Sequence, residues 1–479
     1  MTDRRVAPRR QVLGLLATAF FMTILDGTIL FAALPSIKED LGLAEADAQW
    51  TVTAYALAFS GLLLFCGRAA DLLGRRSVFL AGVVLRVASS LLCGLAWSSE
   101  VLIAARALQG VSAAVIAPAA LSMVMTIFPE GPERNRALGV WGGLGGVGAT
   151  AGLLLGGVIT DEFGWPWVFL INVPVGIGVL ILAPFLLRES RDPGRARGFD
   201  TAGAVTVTAA LVLLVYAIVT VPEAGWVSGR TAGLLLAAAV LVGLFVLVER
   251  RSAVPLVPLR ILRSPSLVGG NLVILFAGMA VDGVLITLTS YVQHVLDWSA
   301  MRFGLLAAVM TVASVAGALV SQRLATGFGV RHVAAAGTVL LGAACMLLTW
   351  AVGDGGSTDV VLIALLIFGA GMGAAFVCSQ IAALTGVAER EAGLAAGFVD
   401  TSFAIGTALG LAVCSSVALT RAQAVGGPAL PALIEGHRAA FGVAVVFAVL
   451  GLAAALTLLG RTDRLSQARQ KGAPALTRE

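Results

Sequence analysis

The chain has 479 residues, of which 58% are hydrophobic and only 12% are charged, and its mean hydropathy is +0.96. Soluble globular proteins carry about twice that share of charged residues, so the composition argues against a soluble enzyme, a secreted disulfide scaffold and a nucleic-acid-binding protein. The small net charge of +5 points to no acidic partner. The sequence therefore predicts a protein that lies in the lipid bilayer.

Apolar segments long enough to cross a bilayer recur along the chain. A membrane helix needs about 20 mostly apolar residues to span ~30 Å of hydrocarbon. The segment after the basic N-terminal residues is longer than the core of a signal peptide, so we predict that it is the first span. Fourteen spans are predicted in all, at 11–33, 49–66, 77–96, 101–125, 137–160, 165–187, 201–220, 231–248, 267–292, 303–321, 332–352, 359–380, 393–418 and 439–460.

The placement of basic residues predicts the orientation of these spans. Of the 32 Lys and Arg residues, 25 fall in the N-terminus, the even-numbered loops and the C-terminus, and five fall in the odd-numbered loops. Because basic residues concentrate on the cytoplasmic side, both termini are predicted to be cytoplasmic. The preference for Arg over Lys, with abundant Ala and Gly, is typical of a high-G+C bacterium, so the predicted location is a bacterial inner membrane.

Two loops carry a weak internal repeat. The loop at 67–76 aligns without gaps with the loop at 322–331, and each follows the second span of a six-span block. The aligned pairs are Arg68 with Arg323, Gly74 with Gly329, and Arg76 with Arg331. Internal repeats of this kind are typical of secondary transporters.

The repeat divides the chain into four parts. We predict an N-terminal six-helix bundle at 1–187, and linkers with two inserted helices at 188–265. A C-terminal six-helix bundle follows at 266–460, with a cytoplasmic tail at 461–479. The predicted fold class is therefore an all-α polytopic membrane protein.

Apart from Asp359 at the first position of a span, five charged residues lie within the predicted spans, where each costs a few kcal/mol or more. They are Asp26, Arg86, Arg106, Asp282 and Asp400. Asp26 and Asp282 lie at similar depths in spans 1 and 9, and a carboxyl group in a low-dielectric cavity can exchange a proton or bind a cation. The alternative for each acid is a structural hydrogen-bonded pair. For Arg86 we favour snorkelling or a structural contact, and for Arg106 a functional role.

The sequence contains no motif for ATP binding, for a disulfide framework or for a metal site. There is no GxxxxGK[ST] motif, so uphill transport would draw on an ion gradient and not on ATP. The five Cys residues lie in apolar runs without a CxxC pair, and the three His residues are far apart, so we predict no disulfide framework, metal site or cofactor. No enzymatic activity is expected.

Four motifs in chain order resemble the major facilitator superfamily, and specifically its fourteen-span drug:proton antiporter family. Leu25 to Pro35 resembles the family's span-1 motif, and Gly67 to Arg76 is similar to the superfamily's cytoplasmic loop motif G-x-x-x-D-x-x-G-R-[RK]. Arg106 to Gly110 resembles the span-4 motif R-x-x-Q-G, and Trp167 to Gly176 the span-6 signature. The resemblance implies the major facilitator fold, with two six-helix bundles and two inserted helices.

The resemblance also implies roles for single residues. Asp26 would couple to protons or recognise a cationic substrate, and Arg106 would act as relay or gate. Asp282 is a second candidate for proton coupling because its depth in span 9 matches that of Asp26, and not because of the resemblance. An inner gate would be formed by Gly67, Arg68, Asp71, Gly74, Arg75 and Arg76. The alternative is that the arginines serve topology alone, but topology requires neither the aspartate nor the glycines.

Two departures from the family pattern stand out. The span-5 antiporter motif has a proline where this chain has Leu153, so the proline kink is absent. In the second repeat, Thr326 stands at the position of Asp71, which predicts an asymmetric charge cluster at the inner gate.

The substrate pocket is predicted, by resemblance, between spans 1, 4, 9 and 12. Aromatic rings and carboxylates suit amphipathic or cationic small molecules. Any one of these aromatic residues could instead pack against helices or lipid. The candidate substrate-binding residues are Asp26, Tyr55, Phe59, Trp141, Phe276, Asp282, Tyr291, Gln293 and Asp400.

We therefore predict a proton-coupled exporter of drugs or hydrophobic small molecules that works by alternating access. Its expected partners are the substrate, protons and lipid, with no nucleic acid, and it is expected to be a monomer. One alternative is a dedicated exporter of a single endogenous metabolite or antibiotic. The other is a transporter-like sensor without net flux.

Overall fold

The computed structural model describes residues 8–43, 45–189, 200–252, 255–258, 260–296, 300–352, 358–425 and 429–459. These residues form helices joined by short connections, with no β-strand among them. The predicted tail at 461–479 and most of the first linker lie outside the described residues.

Among the described residues, fourteen helical spans are long and apolar enough to cross a membrane, which agrees with the predicted number. The first six spans are Arg9–Asp40 (α1), Glu45–Leu73 (α2), Arg75–Gly94 (α3), Ser99–Ile127 (α4), Pro132–Phe163 (α5), and Trp167–Leu170 (α6) together with Asn172–Leu186 (α7). The inserted pair is Thr201–Val219 (α8) and Gly229–Arg251 (α10), separated by the short helix Val221–Ala224 (α9). The last six spans are Pro265–His294 (α11), Ala300–Phe328 (α12), Val330–Ala351 (α13), Thr358–Leu384 (α14), Ala392–Val425 (α15) and Ala429–Leu458 (α16).

The sixth span is interrupted, although its sequence predicts one continuous helix at 165–187. The helix breaks at Ile171, between α6 and α7. Pro174 has no backbone N–H, so the carbonyl of Leu170 loses its usual partner four residues on. The break places Asn172 at the first position of α7, with its side chain buried.

The two halves repeat the same packing. α1 packs on α5, α2 on α4, and α3 on α4 and α7; correspondingly, α11 packs on α15, α12 on α14, and α13 on α14 and α16. The aligned loops agree in conformation: Gly74 precedes α3 with φ +106° and Gly329 precedes α13 with φ +87°. Glycine adopts such angles without strain, which explains its presence in both loops. The exact domain limits stay a prediction.

The halves meet through α2 with α15 and through α5 with α12, and the inserted helix α8 packs on both α2 and α15. We call the end of the molecule that holds the α2–α3 turn, the α4–α5 turn and the start of α15 the Asp71 end. There, a methyl group at Gly397 would lie 2.8 Å from the carbonyl oxygen of Leu63, and Gly67 and Gly393 approach at least as closely. Glycine is required where helix backbones come this close. The halves are therefore tightly closed at the Asp71 end.

Candidate functional site

A buried network of charged and amide side chains surrounds Asp26. Its Oδ2 accepts hydrogen bonds from Nη1 of Arg86 at 2.8 Å and Nη1 of Arg106 at 2.9 Å. Its Oδ1 accepts from Nε2 of Gln109 at 3.2 Å and Nδ2 of Asn172 at 3.1 Å. All five side chains are at most 1% exposed. We call these five residues the Asp26 network; it joins α1, α3, α4 and α7.

Arg106 is the most extensively held member of the network. Besides Asp26, it donates from Nε to the carbonyl oxygen of Thr51 at 3.2 Å and from Nη1 to Oε1 of Gln109 at 2.9 Å. The ring of Tyr55 covers its guanidinium group, with 4.4 Å from the guanidinium carbon to the ring centroid. A cation over an aromatic face is stabilised by the quadrupole of the ring. Arg106 therefore ties α1 to α2 as well as to its own helix.

The charges of the Asp26 network do not cancel. It contains two guanidinium groups and one carboxylate, all buried. Removing one partner from a buried ion pair costs about 3–5 kcal/mol, because the remaining charge is left uncompensated. Arg86 makes a structural contact in this network, which is one of the two roles that the sequence favours for it, and its side chain is 0% exposed. The packing of α1, α3 and α4 thus depends on the charge of Asp26.

The Asp71 end is closed by polar contacts between the halves. Asp71 accepts hydrogen bonds from the backbone N–H groups of Gly393 and Leu394, each at 3.0 Å, at the start of α15. Nη2 of Arg75 donates to Asp71 at 3.1 Å and also to the carbonyl oxygen of Glu389. A carboxylate at a helix N-terminus satisfies free N–H groups and the helix dipole. The predicted gate residues Asp71 and Arg75 therefore do bridge the halves.

Of the other predicted gate residues, Gly67 packs against Gly393 of the second half, whereas Arg68, Gly74 and Arg76 lie within or beside the first half. Gly74 caps α3, and the backbone N–H of Arg76 donates to Oε1 of Glu189 at 3.2 Å. The buried Arg68 donates from Nη2 to the carbonyl oxygen of Pro255 at 3.1 Å, in the linker between α10 and α11. Arg68 thus connects α2 to the linker between α10 and α11. Arg76 is connected through its backbone N–H to the segment that follows α7.

At the position of the second repeat that matches Asp71, the contact between the halves joins two uncharged side chains. Thr326, at the position of Asp71, accepts a hydrogen bond from Nδ2 of Asn135 at 3.2 Å. Oε1 of Glu130 accepts from the backbone N–H of Gly386 at 3.0 Å. The contacts at the Asp71 end are therefore asymmetric, as the sequence predicts.

The two acids of the second half lie apart from the Asp26 network. Asp282 on α11 is partly buried and lies near Thr407 of α15. Asp400 on α15 is partly buried, and its Oδ2 has no hydrogen-bond partner among the described residues. No arginine side chain among the described residues is paired with either acid. Their predicted roles stay predictions.

The predicted pocket aromatics fall into two groups. Tyr55 and Phe59 stack on one face of α2, with centroids 6.1 Å apart, and Trp141 stacks on Phe20 at 4.2 Å. Tyr291 is fully buried within the second half, where its ring packs edge-on against His437.

Phe276 packs beside Gly451 of α16, so it too lies within the second half. The side chains of Gln293 and Leu153 lie outside what the structure describes, although the helix backbone continues through both positions.

Sequence reasoning missed several partners of these residues. Gln109 and Asn172 lie inside the quoted span-4 and span-6 motifs, and a polar residue in an apolar run was the available signal. Glu389, Gly393 and Leu394 had no such signal, because Glu389 acts through its backbone carbonyl and the other two through their backbone N–H groups.

Comparison with known proteins agrees with this architecture. The profile described as Major Facilitator Superfamily matches residues 16–411 and 270–478. The cephamycin export protein CmcT of Amycolatopsis lactamdurans is 39% identical over 94% of this chain and 93% of its own length. The puromycin resistance protein pur8 of Streptomyces alboniger is 35% identical over 97% and 94%.

A third relative and one solved structure complete the comparison. The multidrug resistance protein Stp of Mycobacterium tuberculosis is 36% identical over 85% of this chain and 76% of its own length. A crystal structure of the human organic anion transporter MFSD10 (TETRAN) matches with a TM-score of 0.66 at 19% identity. The match covers 94% of this chain and 99% of that one. At this identity the structural match shows the fold alone.

Proposed function

Because the chain belongs to the Major Facilitator Superfamily, we propose that it is a proton-coupled exporter of drugs or other hydrophobic small molecules in a bacterial cytoplasmic membrane. Relatives named for multidrug resistance, puromycin resistance and cephamycin export support the export of small molecules. The number of spans, fourteen, is the number expected of the drug:proton antiporter branch. The observation that carries the proposal is the buried Asp26 network.

The network supplies a physical basis for proton coupling. Asp26 holds α1 to α3 and α4 through two guanidinium groups, with all three side chains buried. A proton bound by the carboxylate would remove its charge and leave both cations uncompensated, so the helices would have to rearrange. Protonation of Asp26 would favour release of substrate outside, and its deprotonation inside would reset the site.

The closed Asp71 end supplies one of the two states that alternating access requires. We place both termini in the cytoplasm from the distribution of basic residues, so that in this proposal the Asp71 end faces the cytoplasm and the observed state is closed to the inside. Opening it would break the contacts of Asp71 with α15 and of Arg75 with Glu389. Transporters of this kind move one half against the other around a central site.

A second candidate is a dedicated exporter of one antibiotic or endogenous metabolite. The observation that favours it is the 39% identity with a protein named for cephamycin export. The two candidate functions share a mechanism and differ only in the range of substrates that the pocket accepts.

The test is a resistance and accumulation panel in an efflux-deficient bacterial host. The panel holds ethidium, puromycin, tetraphenylphosphonium and a cephamycin, each with and without a protonophore. We expect lower accumulation of several compounds, abolished by the protonophore. Export of one compound alone would favour the dedicated exporter, and unchanged accumulation of all four would contradict export.

A further inference from the structure

The linker between α10 and α11 is buried, although connecting segments ordinarily run over the surface of a protein. Leu256 and Val257 are each 1% exposed, and Ile261 is also buried. All three belong to one apolar core that contains residues of both halves and of α8. We call residues 255–258 and 260–263 of this linker the strap. A buried connection of this kind requires partners for its backbone polar groups.

Glu249, in the last turn of α10, holds the backbone of the strap. Its Oε1 accepts a hydrogen bond from the N–H of Leu256 at 3.1 Å, and its Oε2 accepts one from the N–H of Val257 at 3.2 Å. The Glu249 side chain is itself buried. A buried N–H group that lost such an acceptor would forfeit its hydration without compensation. The inserted pair of helices is therefore the anchor of the strap.

Two arginines attach the strap to opposite halves of the molecule. The buried Arg68 on α2 of the first half donates from Nη2 to the carbonyl oxygen of Pro255 at 3.1 Å. Arg260 of the strap forms a salt bridge with Glu391, which lies at the start of α15 in the second half. The strap therefore crosses from α2 to α15.

The attachment at Glu391 lies within the contact that closes the Asp71 end. Glu391 is two residues after Glu389, whose carbonyl oxygen accepts a hydrogen bond from Arg75. It is two residues before Gly393, whose N–H donates to Asp71. Separation of α2 from the start of α15 would therefore pull on both attachments of the strap.

A turn in the strap follows Pro258 and includes Arg260. The N–H of Ile261 donates to the carbonyl oxygen of Pro258 at 2.9 Å, and the N–H of Arg263 donates to the carbonyl oxygen of Arg260 at 3.1 Å. Lengthening the strap would break these hydrogen bonds and draw its buried side chains into water. Opening of the Asp71 end must therefore release an attachment or unfold the turn, and either change costs free energy.

We propose that the strap, anchored on the inserted pair, is a restraint that holds the Asp71 end closed and sets how often the transporter opens to the cytoplasm. The proposal rests on the proposed function, because only a protein that opens at this end needs such a restraint. It also gives the two inserted helices a role in gating. Because α8 packs on both α2 and α15, the anchor lies beside the boundary that the strap crosses. Contacts made only in the closed state favour that state, so weakening any of them shifts the population toward the open state.

The first test removes the anchor and measures a contact elsewhere between the halves. Cys66 of α2 packs beside Ala404 of α15, so in a variant that keeps only this cysteine its labelling by N-ethylmaleimide in membranes measures their separation. Glu249→Gln should raise the labelling rate at least about threefold, because a neutral amide holds the two N–H groups less well than a carboxylate does. The control is Glu133→Gln, which removes a carboxylate paired with Arg9 inside the first half and should leave the rate unchanged.

The second test reverses the charges of the attachment to α15. Arg260→Glu and Glu391→Arg should each raise Cys66 labelling about fivefold, because two like charges would repel each other where a pair attracted. The double variant Arg260→Glu with Glu391→Arg restores an opposite pair, so its labelling rate should return to that of the wild type. The matched control is Arg263→Glu. Arg263 is exposed on the same strap and is paired with no acid among the described residues, so its reversal should have no effect.

Each outcome bears on one part of the proposal. Wild-type labelling rates in both Glu249→Gln and Arg260→Glu would overturn the restraint. An equal rise in Arg263→Glu, or a double variant that labels as fast as the single ones, would overturn the pairing of Arg260 with Glu391. These labelling ratios do not depend on which compound is exported. Failure of the proposed function would instead be seen as unchanged accumulation of every compound in the drug panel.

Discussion

Replacing Asp71 with Asn should open the Asp71 end. The carboxylate is buried and accepts from Gly393, Leu394 and Arg75 at 3.0–3.1 Å. Hydrogen bonds to a charged group contribute about 1.5–3 kcal/mol each, and Asn would turn one acceptor into a donor that faces another N–H. A net loss of about 2–4 kcal/mol corresponds to a roughly 30- to 700-fold shift toward the open state.

The accessibility of the native Cys66 thiol can be used to measure this opening. Cys66 is 3% exposed and packs with Phe59 and Ala404 between α2 and α15. In a variant that keeps only this cysteine, we measure the rate of labelling by N-ethylmaleimide in membranes. The rate should rise strongly in Asp71→Asn and only slightly in Glu130→Gln, whose cross-half contact is made by a largely exposed side chain. Equal labelling of wild type and Asp71→Asn would refute the role of Asp71 as a lock.

Two further predictions concern packing at the same end. Gly67→Ala places a methyl group against the carbonyl of Gly393, so it should raise Cys66 labelling and lower transport. At Gly14 a methyl group meets no atom within 4 Å, so Gly14→Ala should leave Cys66 labelling and transport unchanged. Similar effects of Gly67→Ala and Gly14→Ala would contradict the packing argument. Glu249→Gln weakens its bonds to the backbone N–H groups of Leu256 and Val257, at 3.1 and 3.2 Å. The linker should then be cleaved faster in limited proteolysis, and an unchanged rate would show that Glu249 does not anchor it.

The fourteen spans could be predicted because their signal is local. A stretch of about 20 apolar residues is sufficient to identify a membrane helix without knowledge of its neighbours. The motifs likewise identified Asp26, Asp71 and Arg106 as polar residues of interest. The break at Ile171 was missed although Pro174 was visible, because α6 and α7 form one continuous apolar window.

The partners of these residues could not be predicted, since they depend on how the helices turn toward each other. Arg86 and Asp26 are 60 positions apart, and nothing in either segment fixes their relative rotation. A helix that is apolar all round has no preferred face in its sequence. The sequence thus predicts Tyr291 as a pocket residue but gives no sign of its ring contact with His437.

Substrate-driven proton movement in everted membrane vesicles tests the central claim most directly. Vesicles are acidified inside by respiration, and the proton gradient is followed with a fluorescent weak base while puromycin or ethidium is added. The account predicts that substrate addition dissipates the gradient with wild-type protein and fails to do so with Asp26→Asn. Full proton release with Asp26→Asn would contradict Asp26 as the coupling site, and substrate uptake that is indifferent to the gradient would contradict proton coupling itself.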